Sequence, residues 1–176
     1  HDRLFVAENQ NRRVTVFDVR PSGSPSVSLC PLIDPATTTG VANGMNASCL
    51  IGQPTWADNN SSSTDGLNGS NFQHVYGMAY NPASELLYVV EQASRVLIFD
   101  INTIDVYPTE TAIAVFGQPD FVTASNGNHS ASGMDNPSAV VYNPTNDSFF
   151  VSDRGNHRVL AFEFIKITTT VLPDGT

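Results

Sequence analysis

A chain of 176 residues, 40% hydrophobic and only 14% charged, is long and apolar enough to fold as one domain. A single lysine, Lys166, and seven arginines face seventeen carboxylates; the net charge of −9, with no basic cluster, argues against a nucleic-acid partner. No apolar run approaches the roughly 20 residues that span a bilayer, so membrane insertion is not expected.

The first patterned stretch reads as a β-hairpin. The apolar runs Leu4-Phe5-Val6-Ala7 and Val14-Thr15-Val16-Phe17 flank a polar turn that Glu8 opens and Arg13 closes, with Asn11 between them. An insertion follows, over about residues 20–49. Arg13 to Gly52 is 39 positions, whereas the corresponding Arg95 to Gly117 is 22, an excess of 17. Cys30 lies early in the insertion and Cys49 at its end. A disulfide between them is expected to staple the excursion and to restrict the unfolded chain by roughly 3 kcal/mol. Leu50-Ile51-Gly52-Gln53-Pro54-Thr55-Trp56 then reads as a strand stopped by Gln-Pro turn punctuation.

Residues 58–66 form a polar connection in which oxygen-bearing side chains alternate as they do in calcium loops. The terminal bidentate glutamate is missing, so a solvated linker is expected and no metal. Trp56, Asp58 and Asp65 make this the candidate ligand-presenting loop. Next come a strand ending Tyr80-Asn81-Pro82 and a second hairpin over residues 87–99, with Glu91 and Arg95 at its turn. That turn is one residue shorter than the first and has no asparagine. Val115-Phe116-Gly117-Gln118-Pro119-Asp120-Phe121 repeats the Gly-Gln-Pro phrase, and residues 123–133 form a second linker without a carboxylate. A strand ending Tyr142-Asn143-Pro144 leads to the third hairpin, whose turn carries Asp153, Asn156 and Arg158. Asp153-Arg154-Gly155-Asn156 holds the carboxylate and glycine that a tight connection calls for.

The phrases recur with one period. The tyrosines Tyr80 and Tyr142 are 62 apart, Arg95 and Arg158 are 63 apart, and Gly52 and Gly117 are 65 apart. Each unit holds four candidate strands, and four antiparallel strands per repeat is a β-propeller blade. The expected fold is all-β: one domain over residues 1–176 with blade units at about 1–57, 58–121 and 122–176. Runs such as Val96-Leu97-Ile98-Phe99 and Val159-Leu160-Ala161-Phe162 are apolar on both faces, as a strand between two neighbouring blades must be. The first unit lacks its Tyr-Asn-Pro strand and the third lacks its Gly-Gln-Pro strand. About three blades make an incomplete ring, since closed propellers hold four to eight. The chain opens on His1, as a processed chain or an excerpt of a longer one would.

At these residues the sequence resembles the NHL-repeat β-propellers, in which an acidic-x-x-Asn-x-Arg-Val hairpin recurs once per blade. Glu8, Asn11, Arg13 and Val14 match it, as do Asp153, Asn156, Arg158 and Val159, while the middle copy departs from it. The Gly-Gln-Pro-x-aromatic phrase and Asn43-Gly44-Met45-Asn46-Ala47 further resemble a bacterial, surface or secreted subset of these repeats. The resemblance implies a fold and little about activity, because propellers host lyases, lactonases, lectins and scaffolds alike.

Chemistry-bearing patterns are sparse. Arg13, Arg95 and Arg158 recur at one blade position, which points to a structural role with the acidic residue or carbonyls of each turn. The histidines His1, His74, His129 and His157 have no metal-site spacing, and only His74 is placed near a propeller axis. No nucleophile elbow or phosphate-cradling loop is present, so no catalytic residue and no cofactor are assigned. Asn46, Asn59, Asn60, Asn68, Asn128 and Asn146 stand in Asn-x-Ser sequons, and with the cysteine pair they point to an extracellular or cell-surface protein. The expected function is a non-enzymatic, self-assembling scaffold. Its partners are copies of itself, in a ring or filament, or the remainder of a longer chain. A glycan- or ligand-binding propeller is the alternative, and a metal-dependent lyase or lactonase ranks behind both.

Overall fold

The computed structural model describes residues 3–19, 46–57, 66–101, 110–126 and 129–163. Within them, ten strands form three antiparallel sheets. The first holds β1 (Arg3–Glu8), β2 (Arg13–Asp18) and β3 (Cys49–Ile51) in that order. The second holds β4 (Val75–Asn81), β5 (Leu86–Glu91), β6 (Arg95–Asp100) and β7 (Ala114–Phe116). The third holds β8 (Pro137–Asn143), β9 (Ser148–Asp153) and β10 (Arg158–Glu163). One four-stranded blade thus lies between two three-stranded ones, and the arc is open. Helix is confined to a single 3-10 turn at Arg154–Asn156 among the described residues.

Strand alternation sorts the side chains of the middle blade into two cores. Leu87, Val89, Leu97 and Phe99 pack with Val14, Val16, Cys49 and Ile51 of the first sheet. Their neighbours Tyr88, Val90, Val96 and Ile98 point the other way, onto Val140, Phe149 and Val151 of the third. Successive residues of one strand face opposite sides of the sheet, so β5 and β6 must be apolar throughout. Aromatic rings carry much of the second core: Phe149 stacks on Tyr88 with centroids 4.9 Å apart, and Phe162 stacks on Phe149 at 4.9 Å. The matching run in β10 is covered on one side only. Leu160 and Phe162 join the core, while Val159 is exposed.

The strands that begin the second and third blades come very close. A Cβ on Gly77 would lie 3.1 Å from the Ala139 Cα, so glycine is what lets β4 and β8 approach. Both strands bulge at their start, between Val75 and Gly77 and between Pro137 and Ala139. Their Asn-Pro ends are pinned as well. Asn81 Oδ1 accepts from the Ala83 and Ser84 amides at 2.9 and 3.3 Å, and Asn81 Nδ2 donates to Asp147 Oδ1 of the next blade at 3.0 Å.

In the third hairpin turn the left-handed residue is His157, at φ 52°. The residue just before each turn arginine adopts this conformation: Arg12 at 52°, Ser94 at 57° and His157 at 52°. Gly155 serves close approach, since a Cβ there would sit 2.7 Å from the Asp135 carbonyl oxygen. Cys49 is buried and disulfide-bonded. Cys30, its expected partner, lies outside the described residues, as do most of the insertion and the 58–65 linker.

Candidate functional site

The acidic and arginine positions of the hairpins build one device three times. In the first blade Arg13 Nε and Asn11 Nδ2 both donate to Glu8 Oε2, at 3.0 and 2.6 Å. In the third, Arg158 Nε and Asn156 Nδ2 both donate to Asp153 Oδ2, at 2.7 and 2.8 Å. The middle blade has no asparagine. There Glu91 Oε2 takes the Ala93 amide of its own turn at 3.1 Å, and Arg95 pairs with Glu91 Oε1. A backbone donor thus replaces the missing side chain in the shorter turn. Glu91 and Arg95 are fully buried, as the pair inside the only doubly covered blade described must be.

Each arginine also reaches beyond its own hairpin. Arg13 Nη1 donates to the Trp56 carbonyl at 2.9 Å, and Arg95 Nη1 donates to the carbonyl of Phe121, the residue equivalent to Trp56. Arg95 Nη2 donates to the Asn71 carbonyl at 3.2 Å, and Arg158 Nη2 makes the matching bond to Gly133 at 2.7 Å. The carboxylates reach outward too: Gln73 N donates to Glu91 Oε2 at 3.0 Å, and Asp135 N to Asp153 Oδ1 at 2.7 Å. The ion pairs of the second and third blades therefore tie their turns to the chain entering the blade, and that of the first ties its turn to the chain leaving it. Burial pushes Glu8 up, but hydrogen bonds from Arg13 and Asn11 and the charge of Arg13 outweigh it and hold its carboxyl below the usual value.

The glutamines of the Gly-Gln-Pro phrases extend this clamp beyond their role as turn punctuation. Gln53 Nε2 donates to the Asn11 and Arg12 carbonyls at 3.3 and 3.4 Å, and Gln118 Nε2 to those of Ala93 and Ser94 at 3.3 and 3.1 Å. Gln118 Oε1 also accepts from the Ser125 amide at 3.2 Å. Both glutamines are buried, and their recurrence at one repeat position was the signal for this role. Contacts between blades at this end are also polar. His74 Nδ1 lies 3.3 Å from the Asn9 carbonyl, Asn9 Nδ2 donates to the Val75 carbonyl at 3.0 Å, and Asn136 N donates to Ser94 Oγ at 3.2 Å. Nothing in the sequence pattern marked Asn9, Ser94 or Asn136, because their side chains differ from blade to blade.

Of the candidate ligand loop, only Trp56 is described. Its ring is about half exposed and lies under Arg13, with the guanidinium 5.9 Å from the ring centroid. Trp56 therefore belongs to the clamp of the first blade. Asp58 and Asp65 lie outside the described residues. Among the sequons, Asn46, Asn68 and Asn146 are exposed, while Asn59, Asn60 and Asn128 lie outside the described residues. No group of three metal-ligating side chains occurs among the described residues. No described helix is long and apolar enough to cross a membrane. An open pocket of about 200 Å³ lies at the start of β4 and β8, lined by Tyr76, Asn136, Pro137, Ser138 and Arg154.

Residues 134–162 match the NHL repeat family model. No curated protein matches the chain. Among solved structures, the chain is similar to the β-propeller domain of Myceliophteria thermophila Cps50 (Swd1), at 9% identity and a TM-score of 0.51. That match covers 93% of this chain and 38% of the other. It is also similar to an auxiliary nutrient binding protein from Bacteroides thetaiotaomicron VPI-5482, at 14% identity and a TM-score of 0.48, over 90% of this chain and 34% of that one. The chain thus spans well under half the length of either structure. The third blade matches the NHL repeat, and the chain is an arc of β-propeller blades.

Proposed function

We propose that this chain is a non-catalytic structural module that works outside the cell by joining its blades to those of further copies. The observation that carries this reading is a pair of complementary apolar faces at the two ends of the arc. On the third sheet Val141, Phe150 and Val159 are exposed, with Ala139 and Ala161 beside them. Through the repeat they correspond to Ala79, Tyr88 and Val96, with Gly77 and Ile98 beside them, on the face of the second sheet that meets the third. On the first sheet Leu4 and Val6 are exposed at the β1 edge, while Thr15 and Leu50 of the same face are buried. They correspond to Leu87 and Val89, which the second sheet turns toward the first.

The two open faces are thus the two halves of one blade-to-blade interface. Contact between the third sheet of one copy and the first sheet of another repeats the internal packing. Such a head-to-tail contact closes a ring when its rotation allows, and two copies would bring six blades together; otherwise it propagates as a filament. The edges of β1 and β10, which pair with no further strand among the described residues, offer strand addition alongside the faces. Outside the cell the Cys49 disulfide persists and the exposed sequons are accessible, which supports that location. The recurring polar side chains are taken up in holding turns, which supports a scaffold over a catalyst.

The test places a charge on either face. Val141→Glu and Val6→Glu are each expected to reduce the assembly, read by sedimentation velocity, with the circular dichroism of the sheets unchanged. Particles of unchanged size in both variants would overturn the reading.

A further inference from the structure

The pocket at the start of β4 and β8 has a chemistry that the scaffold reading does not use. Arg154 opens the third hairpin turn and is exposed. Arg13, Arg95 and Arg158 are each spent on a carboxylate and on carbonyls. The Arg154 guanidinium, by contrast, makes no hydrogen bond or ion pair with any described residue. Tyr76, 41% exposed, sits at the bulge that interrupts β4. Asn136 donates its side-chain amide to Asp135 Oδ1 at 2.8 Å, which leaves its own Oδ1 as an acceptor. Ser138 Oγ shares one hydrogen bond with Ser152 Oγ at 2.7 Å and keeps further capacity. Pro137 adds an apolar wall.

A free guanidinium fork matches a carboxylate, while a phenol, a carboxamide oxygen and a hydroxyl beside it match ligand hydroxyl groups. The neighbouring Asp135 carboxylate narrows the choice of anion. It lies against Gly155, where a Cβ would come within 2.7 Å of Asp135 Oδ2, so it repels a dianion such as phosphate about twice as strongly as a monocarboxylate. A pocket of about 200 Å³ has room for about one sugar unit. We propose that it binds a small carboxylate bearing hydroxyl groups, of the sugar-acid type, with Arg154 on the carboxylate and Tyr76, Asn136 and Ser138 on the hydroxyls.

The experiment titrates the full chain with glucuronate, glucose and acetate, following binding by calorimetry or by ligand-detected NMR. Saturable glucuronate binding is expected, at least ~10-fold tighter than glucose or acetate, and weakened ~10-fold or more in Arg154→Ala. The melting temperature of Arg154→Ala should stay unchanged, since its side chain holds nothing in place. No saturable glucuronate binding would overturn the proposal. So would glucose or acetate binding as tightly, or an unchanged affinity in Arg154→Ala. The comparison of three ligands on the unaltered protein keeps the test decisive if the variant folds poorly.

Discussion

Arg95 and Glu91 share no contact with water, so removing either partner strands a charge in the middle blade. Arg95→Met is expected to cost about 3–5 kcal/mol in urea denaturation, whereas Arg13→Ala, in the partly exposed pair of the first blade, should cost about 1 kcal/mol. The same residue type at the same repeat position thus carries unequal weight, and burial decides which. Glu8 makes the electrostatics measurable. Its carboxyl is held below the ordinary 4.5 in the folded chain, so its contribution is present above that value and is lost as pH falls through the lowered one. The difference in melting temperature between the unaltered chain and Glu8→Gln should therefore be largest near neutrality and shrink in acid. At this scale the sequence disclosed the acidic and arginine positions because they recur. It did not disclose their second partners. The carbonyls of Trp56, Phe121 and Gly133 are main-chain atoms that no side-chain pattern marks.

At the scale of the strand and turn, the Gly-Gln-Pro phrase carries more than its proline. Gly117 sits at φ 92°, and a Cβ there would come within 2.6 Å of the Ser94 carbonyl oxygen, so Gly117→Ala is expected to destabilise by more than about 1 kcal/mol. Gln118→Ala should cost about 1–3 kcal/mol, because it leaves buried carbonyls and the Ser125 amide without their partner. Urea midpoints of the two variants check both. The β5 strand gives an alkaline signature. Burial pushes Tyr88 up to about 12, so below about 10 its phenol is neutral in folded and unfolded chains alike. Above that value the unfolded chain ionises first, and the Tyr88 contribution should be lost between pH 10 and 12; stability of Tyr88→Phe should fall less over that range. Strand order and hairpin positions were legible because the period of two and the repeat reinforce each other. Turn conformation was less so. The left-handed position falls on Arg12, Ser94 and His157, three different residue types and none of them glycine, while Gly155 serves close packing.

For the molecule as a whole, the three-blade arc follows from sequence because apolar runs on both faces of β5 and β6 require a neighbour on each side. The pocket beside Arg154 did not follow from it. Its lining comes from two strands and a turn that lie far apart in the chain, and no residue there repeats. The central claim is that the exposed face of the third blade and that of the first are two halves of one interface. The most direct test is the mass of the native particle by light scattering. An assembly of two copies, or a filament, is the result expected, with mass rising in whole multiples of 18.9 kDa. A folded particle that stays at 18.9 kDa at high concentration would contradict it.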